Sequence, residues 1–394
     1  MMWMKTRRFL CAALIFMAAC GQQAVSSSSP ADSAFSQSHE ELKAVDPSLQ
    51  GYYYSFLDEE GQRAYDEIYE ACARFSSSVE LTPLPAETYL VVSQAFTMDH
   101  PEFYWTCYGS QYYVGLAGKV SRATFRMQGD EKEKLAEMDG LAEGIIRSIP
   151  YDATTYTKLK YIYEYIIWNT EYDASQAEND ALGQDITSVF FDHRSVCAGY
   201  AKAFLYLCNK AGIQSALVIG DASNMTSGAH AWNIVRIASQ WYWVDVTWGD
   251  PVVEGSVQTI SYNYFCVDDQ TIGIDHVIDP TLSLGSKGLS FQASYPSCLD
   301  NSRDWFHLNG SYFESYDPEV VRKYLKGRLE SGHVFDLGMR FADDASLQEA
   351  IHDLIDNYAV FDIIYQAGVQ TETVSYTTND KLHILTITAV VKNA

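Results

Sequence analysis

The chain has 394 residues, with 27 basic and 51 acidic side chains, so its formal charge at neutral pH is −24. A hydrophobic fraction of 47% and a charged fraction of 20% are typical of a folded protein with a core, and they exclude a mostly disordered chain. The acidic excess argues against a nucleic-acid partner, because phosphate recognition needs clustered lysine and arginine. At roughly 150 residues per domain, the length indicates two to three domains.

Residues 1–19 have the pattern of a secretory signal, with basic residues within 5–8 followed by an apolar run at 9–17. The run is shorter than the roughly 20 residues that a transmembrane helix needs. The small residues around Cys20 resemble a bacterial lipobox, which implies that Cys20 carries a lipid and becomes the mature N-terminus. A signal peptide cleaved nearby is the alternative. The serine-rich residues 20–50 would then be a tether, and we expect the protein on the extracellular face of a bacterial cell membrane, lipid-anchored, with no other membrane contact.

Residues 51–150 are predicted to form a mainly helical N-terminal region. Apolar and aromatic side chains recur at helical spacing within residues 61–75, and similar patterns predict helices at 86–96 and 130–149. Alternation within residues 112–127 indicates a pair of strands.

Residues 151–300 are predicted to form the core domain. One helix covers residues 156–168, and a second begins near Val196 or Cys197 and ends at Lys210. Strand-like runs follow at 215–219, 230–237, 240–246 and 260–267. The pattern predicts an α+β fold, in which the second helix packs on an antiparallel sheet.

Residues 301–394 are predicted to form a small C-terminal α/β domain. Helices are expected at 318–330 and 346–358, and strands at 334–341, 374–377 and 382–391. A ferredoxin-like topology is one option for this domain.

Cys197 lies in the segment SVCAGYAKAF, at the predicted N-terminus of the second core helix. A thiol at this position meets the positive end of the helix dipole and unpaired N–H groups, which favours the nucleophilic thiolate. The small residues Ala198, Gly199 and Ala201 would allow a substrate to approach closely. A reactive cysteine of this kind needs a histidine as proton acceptor and a carboxylate that orients the histidine.

His230 and Asp245 occupy two successive predicted strands that could supply those groups. If the strands form a hairpin with its turn centred at residues 238–239, Asp245 lies opposite Trp232. Side chains alternate along a strand, so His230 and Asp245 become diagonal neighbours on one face, within reach of a hydrogen bond. A register shift of one residue would put them on opposite faces.

The segments VCAGYAKAF, HAWNIV and WYWVDVTWGDP, in this order, resemble the transglutaminase-like superfamily, a papain-like group of thiol enzymes. The resemblance covers about residues 153–267. It implies a papain-like core in which Cys197 is the nucleophile, His230 the general base and Asp245 the residue that orients His230. The backbone N–H of Cys197 would supply one oxyanion donor.

The resemblance implies a thiol acyl-transfer enzyme, either a peptidase or amidase or a transglutaminase, that acts on a peptide or protein amide without a cofactor. The family includes both classes, and hydrolysis is slightly favoured because no feature of the sequence shows how water would be excluded. The alternative is a non-catalytic binding or scaffold module for cell-wall material or a protein partner.

Several other residues near these motifs have weaker patterns. Trp232, Trp248 and Tyr172 are candidates to line the substrate site, with aromatic packing of the sheet as the alternative. His276 follows an acidic turn and is interpreted as structural. The remaining cysteines have no zinc-binding spacing, so no metal ligand is predicted, and a disulfide among Cys72, Cys107, Cys266 and Cys298 stays open.

Overall fold

The computed structural model describes residues 23–26, 51–107, 110–115, 117–173, 175, 184–222, 229–251, 259–279, 294–330 and 334–391. The predicted signal at residues 1–19 and Cys20 lie outside the described residues. Within the described ranges, none of the helices is both long and apolar enough to cross a membrane.

The N-terminal region combines three long helices with a four-stranded sheet. The helices are α1 (Glu59–Ala73), α2 (Ala86–Asp99) and α3 (Glu131–Arg147). The strands are β1 (Gln23–Ser26), β2 (Ser78–Pro85), β3 (Gln111–Val114) and β4 (Lys119–Thr124), in the order β1-β3-β4-β2. The expected strand pair is confirmed as β3–β4. Strand β1, which pairs in parallel with β3, comes from the segment predicted to be a tether.

Strand β2 is absent from the sequence prediction because its residues, SVELTPLP, include two prolines, which obscure a strand pattern. It lies at the edge of the sheet, where a proline does not interrupt a ladder of hydrogen bonds on both sides.

The core domain is built on a five-stranded antiparallel sheet. Its helices are α4 (Thr155–Asn169), α5 (Cys197–Lys210) and the short α6 (Asp269–Ile272). A two-stranded ladder, β5 (Glu171–Tyr172) and β6 (Arg194–Ser195), precedes α5. The large sheet has the order β10-β9-β8-β7-β11 and contains β7 (Ser215–Asp221), β8 (Ala229–Ile237), β9 (Gln240–Val244), β10 (Phe265–Val267) and β11 (Val277–Ile278).

The predicted register of the β8–β9 hairpin is confirmed. Ile237 pairs with Gln240 and Asn233 pairs with Val244, so the ladder ends one residue before Asp245. Strand β10 is shorter than the predicted 260–267, because the chain turns just before it, where Phe265 N–H donates to the carbonyl of Tyr262 at 3.2 Å. Within the strand, Cys266 has a positive φ of 58° and the register shifts at this residue.

The start and end of α5 agree with the prediction, and this helix covers one face of the sheet. Asn233 on β8 donates from Nδ2 to the carbonyl oxygen of Ala201, 3.0 Å away, which joins the helix to the central strand. Helix α4 packs beside α5 and carries Tyr163, whose hydroxyl donates to the carbonyl of Ser261 at 2.6 Å. A Cβ atom on Gly249 would lie 2.1 Å from the Tyr163 hydroxyl oxygen, so only glycine allows the turn after β9 to contact α4 this closely.

The second face of the sheet is covered by the C-terminal part of the chain. Phe306 of α7 (Trp305–Leu308), together with Leu382 and Ile384, belongs to one buried cluster with Trp232 and Trp243 of the sheet. Polar contacts join the same two parts, because Lys381 forms an ion pair with Asp275 at 2.8 Å and Arg340 Nη2 donates to the Thr271 hydroxyl at 3.1 Å. The C-terminal unit therefore supports the sheet from the side opposite α5.

The C-terminal unit is the predicted α/β structure, but the ferredoxin-like option is wrong. It contains β12 (Tyr312–Phe313), α8 (Pro318–Glu330), β13 (Val334–Phe341), α9 (Asp344–Ile351), α10 (Ala359–Gln366), β14 (Thr371–Asn379) and β15 (Ile384–Val391). The sheet order is β12-β13-β15-β14, and β14 and β15 form an antiparallel hairpin. This hairpin replaces the second helical crossover that a ferredoxin-like fold requires.

The predicted helix at 346–358 corresponds to α9 and a π-helical segment, His352–Asp356, that continues it, whereas α10 lies after the predicted range. Tyr358 has a left-handed φ of 61°, which breaks the helical path, and α10 begins at the next residue.

Candidate active site

Cys197 is the first residue of α5, and the residue before it, Val196, is extended. The side chain is only 1% exposed, so its surroundings, rather than bulk water, determine its chemistry. The β5–β6 ladder fixes the approach to the helix, because Asp173 N–H donates to the carbonyl of Ser195 at 2.9 Å. Cys197 thus lies in the first turn of the helix, where the backbone N–H groups have no partner within the helix.

His230 lies at the beginning of β8 and contacts both other members of the predicted triad. Its Nε2 is 2.8 Å from Asp245 Oδ2, and its ring also hydrogen bonds to the Cys197 side chain. Since Nε2 is engaged by the carboxylate, Nδ1 is the ring nitrogen left to exchange a proton with the thiol. The structure therefore brings Cys197, His230 and Asp245 together in one line of hydrogen bonds.

Asp245 is fully buried, and its backbone N–H donates to the carbonyl of Tyr264 at 2.9 Å. Besides His230, two further N–H groups reach its carboxylate. The backbone N–H of Trp248 donates to Oδ1 at 3.1 Å, and His276 Nε2 lies 3.0 Å from Oδ2. Each oxygen of this buried charge is therefore hydrogen-bonded, which is the condition for keeping a carboxylate away from water.

His276, interpreted from the sequence as structural, lies in the site beside Asp245. It lies 31 residues after Asp245 in the chain, and α6 together with β11 brings it back to the carboxylate. Its side chain has no exposed surface. Its position after the acidic turn was the only sequence signal, and that turn has no periodicity that would indicate the direction of the side chain.

The charges of the site stabilise an imidazolium. Burial lowers the pKa of His230, but the charge of Asp245 and the hydrogen bonds to Asp245 and Cys197 outweigh this effect and raise the pKa to about 10. Burial alone would raise the pKa of Asp245, yet His230 and His276 hold that pKa below its usual range. The pair is therefore charged at neutral pH, and His230 has a proton to donate.

The three aromatic residues expected to line the substrate site have different positions. Trp232 is fully buried and stacks on His230, with ring centroids 5.9 Å apart, so its assignment as a substrate-lining residue is wrong. It points to the covered face of the sheet, where the C-terminal unit excludes solvent. Trp248 is partly exposed and lies 5.8 Å from the His230 ring, and the partly exposed Tyr172 lies in β5, next to β6 and α5.

His230, Asp245 and His276 offer ligand atoms that lie within 4.8 Å of one another, a set that could hold a metal ion. Both imidazoles, however, lie 2.8 and 3.0 Å from the same carboxylate oxygen. Ligand atoms around zinc are about 3.3 Å apart when the metal–nitrogen distance is the usual one. The observed distances are those of hydrogen bonds, and His230 also contacts Cys197, so the cluster fits proton transfer better than metal binding.

The other thiols differ from Cys197 in their surroundings. Cys72, Cys208, Cys266 and Cys298 are buried free cysteines. Cys72, Cys266 and Cys298 were candidates for a disulfide, and none of these three forms one. Burial raises the pKa of each of these four thiols. Cys197 alone among the five hydrogen bonds to a histidine that is held by a carboxylate, within the residues the structure describes.

The part of the chain that carries the site resembles a known family. Residues 140–246 match the model of the transglutaminase-like superfamily, which covers the cysteine-bearing helix and the hairpin that ends at Asp245. The match covers about a quarter of the chain.

The curated relatives are two orthologues of one protein. Kyphoscoliosis peptidase of Mus musculus is 30% identical over 117 residues, which are 27% of this chain and 18% of that protein. The Homo sapiens protein is 31% identical over 138 residues, or 32% of this chain and 21% of that protein. The chain thus spans about a fifth of the length of these relatives.

Two solved structures are similar over part of the chain. The crystal structure of a TGase aligns with 37% of this chain and 44% of that chain, at 19% identity and a TM-score of 0.26. The periplasmic domain of TgpA from Pseudomonas aeruginosa aligns with 31% of this chain and 46% of that chain, at 20% identity and a TM-score of 0.21.

Replacing Asp245 with Asn tests the electrostatics of the site. We expect Asp245→Asn to lower the pKa of His230 from about 10, because burial is then opposed only by Cys197 and no longer by the Asp245 charge. In the unmodified protein the charged pair stabilises the fold fully below pH 6.5, and this contribution is lost as the pH rises through about 10. An NMR titration of the His230 ring measures the change. A ring that stays charged to the same pH in the variant would contradict the assignment of Asp245.

Proposed function

We propose that the protein is a thiol acyl-transfer enzyme that acts on amide bonds of peptides or proteins. The observation that carries the proposal is the buried line of hydrogen bonds from Cys197 through His230 to Asp245. A thiol beside an imidazole that a carboxylate orients is the arrangement that produces a thiolate nucleophile. The match to the transglutaminase-like superfamily and the likeness to a peptidase support this reading.

In the first half of the reaction, the Cys197 thiol gives its proton to His230 Nδ1, and the thiolate attacks the amide carbonyl carbon and forms a carbon–sulfur bond. The negative charge moves to the carbonyl oxygen, where the backbone N–H of Cys197 at the start of α5 is one donor. The carbon–nitrogen bond then breaks, and His230 gives its Nδ1 proton to the leaving amine. The product of this half-reaction is a thioester on Cys197.

In the second half, His230 accepts a proton from the group that attacks the thioester, and Cys197 leaves as the thiolate. Water as the acceptor makes the enzyme a peptidase or amidase, and an amine makes it a transglutaminase. We propose water as the acceptor. The two curated relatives carry the name peptidase, and this supports the choice.

We further propose that the enzyme acts outside the cell, held at the membrane by a lipid on Cys20. The signal-like residues 1–19 and the serine-rich segment after Cys20 support this placement. Membrane fractions of an expressing bacterium test it. We expect Cys20→Ala to leave the membrane fraction, whereas Cys11→Ala, a change within the signal, stays there. A Cys20→Ala protein that remains membrane-bound would contradict the anchor.

Alkylation with iodoacetamide tests the nucleophile without knowledge of the substrate. Cys72, Cys208, Cys266 and Cys298 provide an internal comparison, because all four are at least as buried as Cys197 but lack a histidine partner among the described residues. Near pH 6 we expect Cys197 to be labelled at least about tenfold faster than these thiols, since only the thiolate reacts. Peptide mapping by mass spectrometry gives the individual rates.

The matched variants are His230→Phe, which should abolish the preference, and Cys208→Ala, which should leave it unchanged. If all five cysteines react at one rate, Cys197 has no thiolate character and the enzyme proposal fails. The scaffold alternative would then be the better account of the fold.

A further inference from the structure

We propose that His276 is a positioning residue for the same reaction. It holds the Asp245 carboxylate in line with His230, and the carboxylate in turn aligns His230 with Cys197. The inference rests on the proposed function and deepens it, since it assigns a role to a residue outside the three motifs. Its basis is the 3.0 Å contact between His276 Nε2 and the same oxygen of Asp245 that accepts from His230.

The direction of this hydrogen bond follows from the surroundings of the His276 ring. Nδ1 of His276 is buried and has no hydrogen-bond partner among the described residues. A proton on Nδ1 would be a buried donor without an acceptor, which is costly, so the proton lies on Nε2. His276 therefore donates to Asp245 through Nε2 and leaves a bare lone pair on the other side of the ring.

The ring has little freedom to leave this position. Aromatic side chains surround it, with centroid distances of 5.0 Å to Trp232, 4.7 Å to Trp248 and 4.9 Å to Tyr264. Such edge-on and tilted contacts fix an imidazole without offering it a second polar partner. The titratable groups facing the ring are Asp245, His230 and Tyr264.

The backbone that carries His276 is fixed by two other parts of the fold. His276 N–H donates to the carbonyl of Ile272 in α6 at 3.0 Å. The neighbouring Asp275 accepts from the Tyr264 hydroxyl at 2.5 Å and pairs with Lys381 of the C-terminal unit at 2.8 Å. The loop is therefore held from the sheet and from the C-terminal unit, which gives the C-terminal unit a physical connection to the triad.

Two anchors determine the orientation of the carboxylate. Trp248 N–H donates to Oδ1 of Asp245. This contact alone would allow the carboxylate to rotate about Oδ1 and change the position of Oδ2. The second donor, His276 Nε2–H, fixes Oδ2 at the point where it meets His230. Without His276, Asp245 keeps its charge but loses the constraint that directs it at the imidazole.

Two substitutions at residue 276 separate the hydrogen bond from packing. His276→Phe keeps a ring in the aromatic surroundings and removes the donor, whereas His276→Gln retains an amide N–H near the position of Nε2. His100→Phe is the matched control, because His100 is also a buried histidine among aromatic rings, in the N-terminal region. The readout is the rate of Cys197 alkylation by iodoacetamide from pH 5 to 10.

We expect His276→Phe to slow alkylation of Cys197 near neutral pH on the order of tenfold. The loss of one hydrogen bond to a charged group changes an equilibrium constant by a factor of this size. The acid limb of the profile should move to higher pH, because a misaligned Asp245 stabilises the thiolate–imidazolium pair less. His276→Gln should recover most of the rate, and His100→Phe should leave the profile unchanged.

The inference is overturned if His276→Phe folds and keeps the unmodified pH profile, or if Phe and Gln at this position have equal effects. If the unmodified protein itself shows no enhanced Cys197 reactivity, it is the proposed function that fails. Should His276→Phe not fold, ¹⁵N shifts of the unmodified protein decide the matter. A protonated Nε2 and a bare Nδ1 on His276 support the inference, and the reverse tautomer contradicts it.

Discussion

The rest of the site depends on one constraint: the charge of Asp245 is buried and has to be satisfied by hydrogen bonds. A carboxylate without partners in the interior costs several kcal/mol, so its N–H donors are fixed wherever the fold is intact. Three separate segments supply them, through His230, Trp248 and His276. The geometry that keeps the charge stable is the same geometry that raises the proton affinity of His230 and aims it at Cys197.

The fold positions these donors through a few exact-fitting contacts. The β8–β9 register brings His230 and Asp245 to the same end of the hairpin. The ladder ends before Asp245, so the chain can turn and place the Trp248 N–H on the carboxylate. Gly249 allows that turn to press against Tyr163 of α4. The C-terminal unit covers the other face of the sheet and contacts the loop that carries His276. The site therefore uses residues from well beyond the three sequence motifs.

Local patterns in the sequence were sufficient for much of this arrangement. The limits of α5 follow from the periodicity before Gly212, and the hairpin register follows from a short turn, so the contact between His230 and Asp245 could be predicted. His276 could not, because its approach to Asp245 depends on how α6 and β11 return the chain to the sheet. The burial of Trp232 depends on a partner surface about 150 residues later, at Leu382 and Ile384, and no local pattern contains that information.

The central claim is that Cys197 is a nucleophile and that the buried Asp245 holds its partner, His230. Acylation by an activated ester tests this claim. The protein is mixed with the ester without an amine, and its intact mass and peptide map are followed over time. We expect one acyl group on Cys197 that forms rapidly and is then released by water, no acyl group on Cys197→Ala, and slow formation on Asp245→Asn. An acyl group on other residues only, or equal acylation of Asp245→Asn and the unmodified protein, would contradict the account.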